Sequence, residues 1–177
     1  KSATMKASQS AEAAMVNFSP QDPITRLIAS HTDTRRQLRI LVPDARPPDP
    51  ASVQAAIAWI DGPAQAQRHI LEQILFPALI ESMAGSDAVC LKGMTQGLIR
   101  QSADLDHRWH QAIRAELMQP HPDAAPLTAW VEGFLAYLQL ADEELLPMAG
   151  RLLDDAALAD LARACETGFS DTHPPGY

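Results

Sequence analysis

Counted at 100° per residue, the apolar positions of this chain gather on helical faces rather than alternating as strands do. Ile24, Leu27, Ile28, Leu38, Leu41 and Val42 share one face of a first helix. Ile60, Leu71, Ile74, Leu75 and Ala78 mark the face of a second. Ala103, Asp106, His110, Ile113 and Leu117 form a stripe on a third, and Trp130, Phe134, Leu138, Ala141 and Leu145 form one on a fourth. Ala, Leu, Gln, Glu and Arg dominate these segments, and runs of alternating β-branched residues do not occur.

Proline and glycine set the boundaries. NFSPQDP (17–23) opens the first helix, with Asp22 as N-cap and Pro23 in the first turn, and VPDARPPDP (42–50) ends it. The second starts near Ala51 and runs to about Met83, with Gly62-Pro63 kinking or breaking it. AGSD (84–87) is a turn, and the third helix runs to Met118, where QPHPDAAP (119–126) stops it. The fourth runs from Leu127 to about Leu153, bent at Pro147, and a short helix over 156–166 precedes a polar tail. Short or proline-stiffened connections predict an all-α fold, an antiparallel up-down four-helix bundle with a short C-terminal helix. The division expected is a flexible N-terminal segment (1–20), the bundle (21–167) and the tail (168–177).

Each helix also carries polar groups close to its apolar face. His31 lies in the middle of the first face with Arg35 beside it, while Arg68 and Glu72 flank the second and His69 points away. His107 sits to one side of the third stripe; Tyr137, Asp142 and Glu144 flank the fourth, and Glu143 looks outward. An unpaired buried charge is expensive, so these groups must pair with one another, with water or with a metal.

Composition narrows the partners. A net charge of −8 without a dense Lys/Arg cluster excludes nucleic acid and anionic membranes. No apolar run approaches the ~18 residues of a membrane span, and the first twenty residues hold no continuous apolar stretch of signal-peptide length. Cys90 and Cys165 stand in no CxxC or zinc spacing and read as ordinary thiols, so the cytoplasm is the expected compartment. Neither an HExxH pattern nor a Ser/His/Asp arrangement is present, which favours a binding protein over an enzyme. A protein partner and self-association both stay open.

Four stretches, EQILFPAL, SHTDTRRQL, DHRWH and YLQLADEELLPMAGRLL, resemble in order and spacing the helix motifs of the hemerythrin-like (HHE cation-binding) family, over roughly residues 22 to 155. An internal echo accompanies the resemblance: setting Pro77 on Pro147 brings Glu72 onto Asp142, and His31 with Arg35 echoes His110 with Arg114. The resemblance implies a bundle holding two irons, sometimes one, through histidines and bridging carboxylates, a donor mixture that suits iron. It further implies binding, storage or sensing of oxygen, nitric oxide or iron. His31 matches the first-helix ligand, Glu72 the bridging carboxylate and Asp142 the fourth-helix carboxylate. On the third helix the wheel favours His110 and the motif favours His107.

Two positions depart from the pattern. Arg68 stands four residues before Glu72 and Tyr137 five before Asp142, where the family has ligating histidines. Glu72 therefore either bridges a metal or pairs with Arg68 one turn earlier. Asp142 either ligates or is met by Arg35 or Arg114. Tyr137 either ligates a ferric ion or packs with its hydroxyl at the rim. The expected site is degenerate, with one metal or none. The alternative is a metal-free regulatory or interaction bundle, with Arg35, Arg68, Asp106 and Tyr137 lining a pocket for a small anionic or polar ligand.

Overall fold

The computed structural model describes residues 22–42 and 48–170. The segment 1–20, most of the VPDARPPDP connection and the end of the tail lie outside the described residues. Among the described residues the fold is all-helical. The chain forms α1 (Pro23–Leu41), then a second rod of α2 (Pro50–Asp61), α3 (Pro63–Ile70) and α4 (Phe76–Glu81). A third rod holds α5 (Gly85–Arg108) and α6 (Arg114–Glu116), and a fourth holds α7 (Ala124–Leu140) and α8 (Leu146–Leu152). The last helix, α9 (Asp155–Ser170), runs into the segment expected as a polar tail.

Local chemistry accounts for the starts and breaks. Asp22 accepts the Thr25 N–H at 2.8 Å with Pro23 in the first turn, and Asp123 and Asp154 cap α7 and α9 through Ala125 and Ala157. Pro63 has no N–H to donate, so the second rod breaks at Gly62, yet the Gly62 N–H still reaches the Ala58 carbonyl at 3.1 Å. Gly85 adopts φ 65°, a left-handed turn that glycine enters without steric penalty, where the second rod gives way to the third.

The second, third and fourth rods each contain one π-helical turn: Leu71–Leu75, Trp109–Ile113 and Ala141–Leu145. Two have a visible cause. Pro77 and Pro147 remove an N–H and press on the carbonyls of Gln73 and Glu143, and the extra residue of a π turn relieves that clash. No proline stands just beyond Trp109–Ile113. There Trp109 is anchored on both sides, its indole N–H on Asp61 Oδ1 at 2.7 Å and its ring stacked on Trp130 at 4.9 Å.

An inserted residue shifts every side chain beyond it, and this corrects the face expected on the third rod. Its buried line is Leu98, Ser102, Leu105, Trp109, Ile113 and Leu117, whereas Ala103 and His110 are exposed. Counting back from Leu117 and Ile113 without the extra residue lands one position off. The second rod shows the same slip: Leu71, Leu75, Phe76 and Leu79 are buried, while Ile74 and Ala78 are only partly so. On α1, Ile28 is 41% exposed rather than interior.

α1 lies against the second and fourth rods, and the third rod also touches both. Leucines fill the space between them, joined by a run of rings: Trp109 on Trp130, Trp130 edge-on to Phe134 at 5.5 Å, and Phe134 edge-on to Tyr137 at 6.4 Å. Each fully buried leucine or aromatic contributes about 2 kcal/mol of transfer free energy, so apolar packing dominates the stability. No helix among the described residues is long and apolar enough to cross a membrane.

Candidate functional site

Arg68 is the most buried cation of the site, with 4% of its surface exposed. Its Nη1 donates to the carbonyl and the hydroxyl of Ser102 at 3.2 and 3.0 Å, and its Nη2 pairs with Asp106 Oδ1. The guanidinium also stands 5.2 Å from the centre of the Phe134 ring. The acid that meets Arg68 is therefore Asp106, across on the third rod, and not Glu72 one turn along its own rod. The reason is direction: Arg68 turns inward toward α5, while Asp106 leans in from the edge, its side chain 39% exposed.

His31 is fully buried on α1. Its Nδ1 pairs with Asp142 Oδ1, and Arg35, one turn on, donates to Asp142 Oδ2 at 2.7 Å. Both oxygens of Asp142 are thus engaged. Burial alone would raise its pKa, but the hydrogen bond and charge of His31, then those of Arg35, outweigh burial and hold it below its ordinary value. Among the described residues His31 Nε2 is buried without a hydrogen-bond partner. Arg114, the other cation considered for Asp142, bonds Asp61 at 3.1 Å instead.

Glu72 lies in the π turn of the second rod, partly buried, and the Tyr137 hydroxyl approaches its Oε1 at 3.4 Å. Tyr137 is completely buried, which corrects the expectation of a hydroxyl at the rim. Burial, then the negative charge of Glu72, pushes its pKa well above the usual 10.

The histidines of the third rod do not join these groups. His107 and His110 are both exposed, and His110 lines a surface cleft with Gln54, Ile57, Arg114, Ala115 and Met118. His69 is exposed, as its position on the wheel implies. The ligand-pocket residues are divided as well: Arg68 and Asp106 are paired with each other, Arg35 with Asp142. An apolar cleft of about 450 Å³ opens elsewhere, among Leu41, Val53, Leu117, Met118 and Leu127.

Sequence reasoning missed several polar participants. Gln67 Oε1 lies 3.1 Å from the hydroxyls of both Ser30 and Thr34, and Thr34 Oγ1 accepts the Trp59 indole N–H at 3.0 Å. Gln67, Thr34 and Ser102 are buried, while Ser30 and Trp59 are partly so. The available signal was spacing: Thr34 follows His31 by three residues, and Ser102 precedes Asp106 by four.

The donors do not fit a two-iron centre. One expected ligand position holds a guanidinium committed to Asp106, another a buried phenol whose hydroxyl faces Glu72, and the third-rod histidines are exposed. Among the described residues no three His, Cys, Asp or Glu side chains gather as a metal site would need. No protein-family model, characterised protein or solved structure matches the chain.

Proposed function

We propose that the chain is a hemerythrin-like bundle whose polar interior is closed by arginine–carboxylate pairs, and that it acts as a metal-free regulatory or interaction bundle. Support for the topology comes from the neighbour pattern, in which the first and third rods each touch the second and fourth. Support for the function comes chiefly from one observation: Arg68 bonds Asp106 and Ser102 across the second and third rods, linking elements that a shared metal would otherwise link. Arg35 on Asp142 repeats the arrangement between the first rod and the fourth.

One feature favours a residual single-iron site with a sensing or storage role. His31 is oriented through Nδ1 by a carboxylate, the support that ligating imidazoles usually have, and its Nε2 has no hydrogen-bond partner among the described residues. Anaerobic reconstitution with ferrous iron, followed by metal analysis and by an absorption spectrum after oxidation in air, separates the two readings. The metal-free reading expects iron far below one equivalent and no charge-transfer band. A full equivalent with such a band supports the iron reading and overturns ours.

A further inference from the structure

One end of the bundle is open. α1 stops at Leu41 and the third rod at Leu117, while α2 begins at Pro50 and α7 at Ala124. Pro48, Pro50, Pro120 and Pro122 stand at these ends, where a fixed φ and a missing N–H keep the rods from extending over the core. What remains is the cleft of about 450 Å³, floored by the buried Leu41, Leu117 and Leu127 of three rods. Small-molecule sites have volumes of roughly 300–1,000 Å³ and walls that are mostly apolar.

This wall is also poor in donors. The four prolines carry no N–H, and the side chains of Val53 and Ala124 cannot hydrogen-bond. Gln54 and Gln119 are the polar side chains of the lining, and Gln54 Nε2 bonds the weak acceptor Met118 Sδ at 3.3 Å. Met118 is 61% exposed, so its flexible thioether stands at the mouth and can turn aside.

Negative charge gathers just outside. Asp49 lies between Pro48 and Pro50, and Asp123 between Pro122 and Ala124, so lining residues flank each on both sides. Glu116 joins them by accepting the Asp123 N–H at 2.6 Å. Asp49 and Asp123 cap helices, accepting the Ser52 and Ala125 N–H groups at 3.0 and 3.1 Å. Such bonds favour the charged carboxylate, and those from the Ser52 side chain and backbone lower the pKa of Asp49. Helix dipoles do not offset these charges, because two N-termini and two C-termini meet at this end and cancel. The basic groups nearest in sequence are Arg39 in the last turn of α1, His121 in the same rim, and Arg114, which already bonds Asp61. Carboxylates are thus in excess around an apolar opening, on a chain whose net charge is −8.

From these observations we infer that the open end of the bundle binds an amphipathic organic cation. Its alkyl chain enters between Leu41, Leu117 and Leu127, and its quaternary ammonium head stays at the rim of Asp49, Glu116 and Asp123. A quaternary ammonium has no N–H to satisfy and asks only for nearby negative charge. A carboxylate or phosphate head would meet repulsion and few donors. The site shares no residue with the pairs at Arg68 and Asp142, so the inference holds whether or not the bundle centre binds iron.

The probe is decyltrimethylammonium, titrated calorimetrically into the full chain at pH 8 and low salt, below its micelle concentration. Decyl maltoside, with the same chain on an uncharged head, is titrated beside it. One site is expected, binding the cation about fivefold more tightly, with that preference lost in high salt. Asp49→Ser with Asp123→Ser removes two charges but keeps capping side chains. It should abolish the preference while decyl maltoside binds as before. Ala124→Trp, at an exposed lining position, should block both probes while the circular dichroism stays native. If that variant does not fold, Gln119→Trp, also exposed in the lining, takes its place. Equal affinity for the two heads would overturn the cation, and undiminished binding to a folded tryptophan variant would overturn the site. No saturable binding of either probe would overturn both.

Discussion

Arg68 and Asp106 form an ion pair with unequal burial: the guanidinium side chain is 5% exposed and the carboxylate 39%. Removing either member leaves the other, and the two losses differ. With Arg68→Met, Asp106 turns to water and the bundle gains an apolar side chain of similar length. With Asp106→Ala, a buried guanidinium keeps only Ser102 and the Phe134 ring. Asp106→Ala should destabilise by roughly 3 kcal/mol and Arg68→Met by about 1 kcal/mol or less. Urea denaturation of both variants checks the order; equal losses would mean that Arg68 is hydrated in solution.

Asp142 should govern the acid limb of stability. Its pKa in the folded chain is lowered below the ordinary 3.8. The contribution is therefore present above the unfolded value and is lost as pH falls through the folded one. Asp142→Asn should lose stability at pH 7 and show a shallower decline between roughly pH 5 and 2. Melting temperatures of both proteins across that window measure the effect. Parallel acid limbs would remove Asp142 from the account.

Tyr137 governs the alkaline side with the opposite sign. Its pKa is raised above 10, so the folded state holds the proton that the unfolded chain releases. Stability then falls as pH climbs beyond about 10. Tyr137→Phe gives up only a long hydrogen bond and should change stability at neutral pH by less than about 1 kcal/mol. It should also flatten the decline above pH 10, seen in denaturation midpoints at pH 8 and 11.

Much of the fold was legible before any coordinates. Asp22-Pro23, Gly62-Pro63 and Gly85 act through the local backbone, so their effects can be read from the residues themselves. The Asp142–Arg35 pair was legible too, as one of two weighed partners. The Arg68–Asp106 pair was not, because Glu72 stands nearer in sequence and only packing decides which way a long side chain turns. His110 was misplaced for a different reason. The π turn Trp109–Ile113 inserts a residue that no proline announces, and a wheel with a fixed 100° step cannot register it. The last helix was legible as a short one over 156–166, and it runs further, from Asp155 to Ser170.

Placing imidazoles at positions 68 and 137 tests whether Arg68 and Tyr137 are what closes the proposed site. Arg68→His with Tyr137→His should be less stable than the native chain without metal, because smaller polar rings replace a packed guanidinium and phenol at two buried positions. Added ferrous iron should recover part of that loss by binding the folded state. Calorimetric melting of the double variant with and without iron measures it. No iron-dependent rise would mean that the positions do not converge on a common centre.

The claim that guanidinium groups have taken the metal's place is met most directly by the native chain itself. Its melting temperature, measured anaerobically with and without excess ferrous iron, should be the same within error. The fixed cation of Arg35 already sits 2.7 Å from Asp142, and that of Arg68 already bonds Asp106. A clear rise with iron, followed by a charge-transfer absorption band once the loaded protein is oxidised in air, would contradict the account and give His31 and Asp142 the role of ligands.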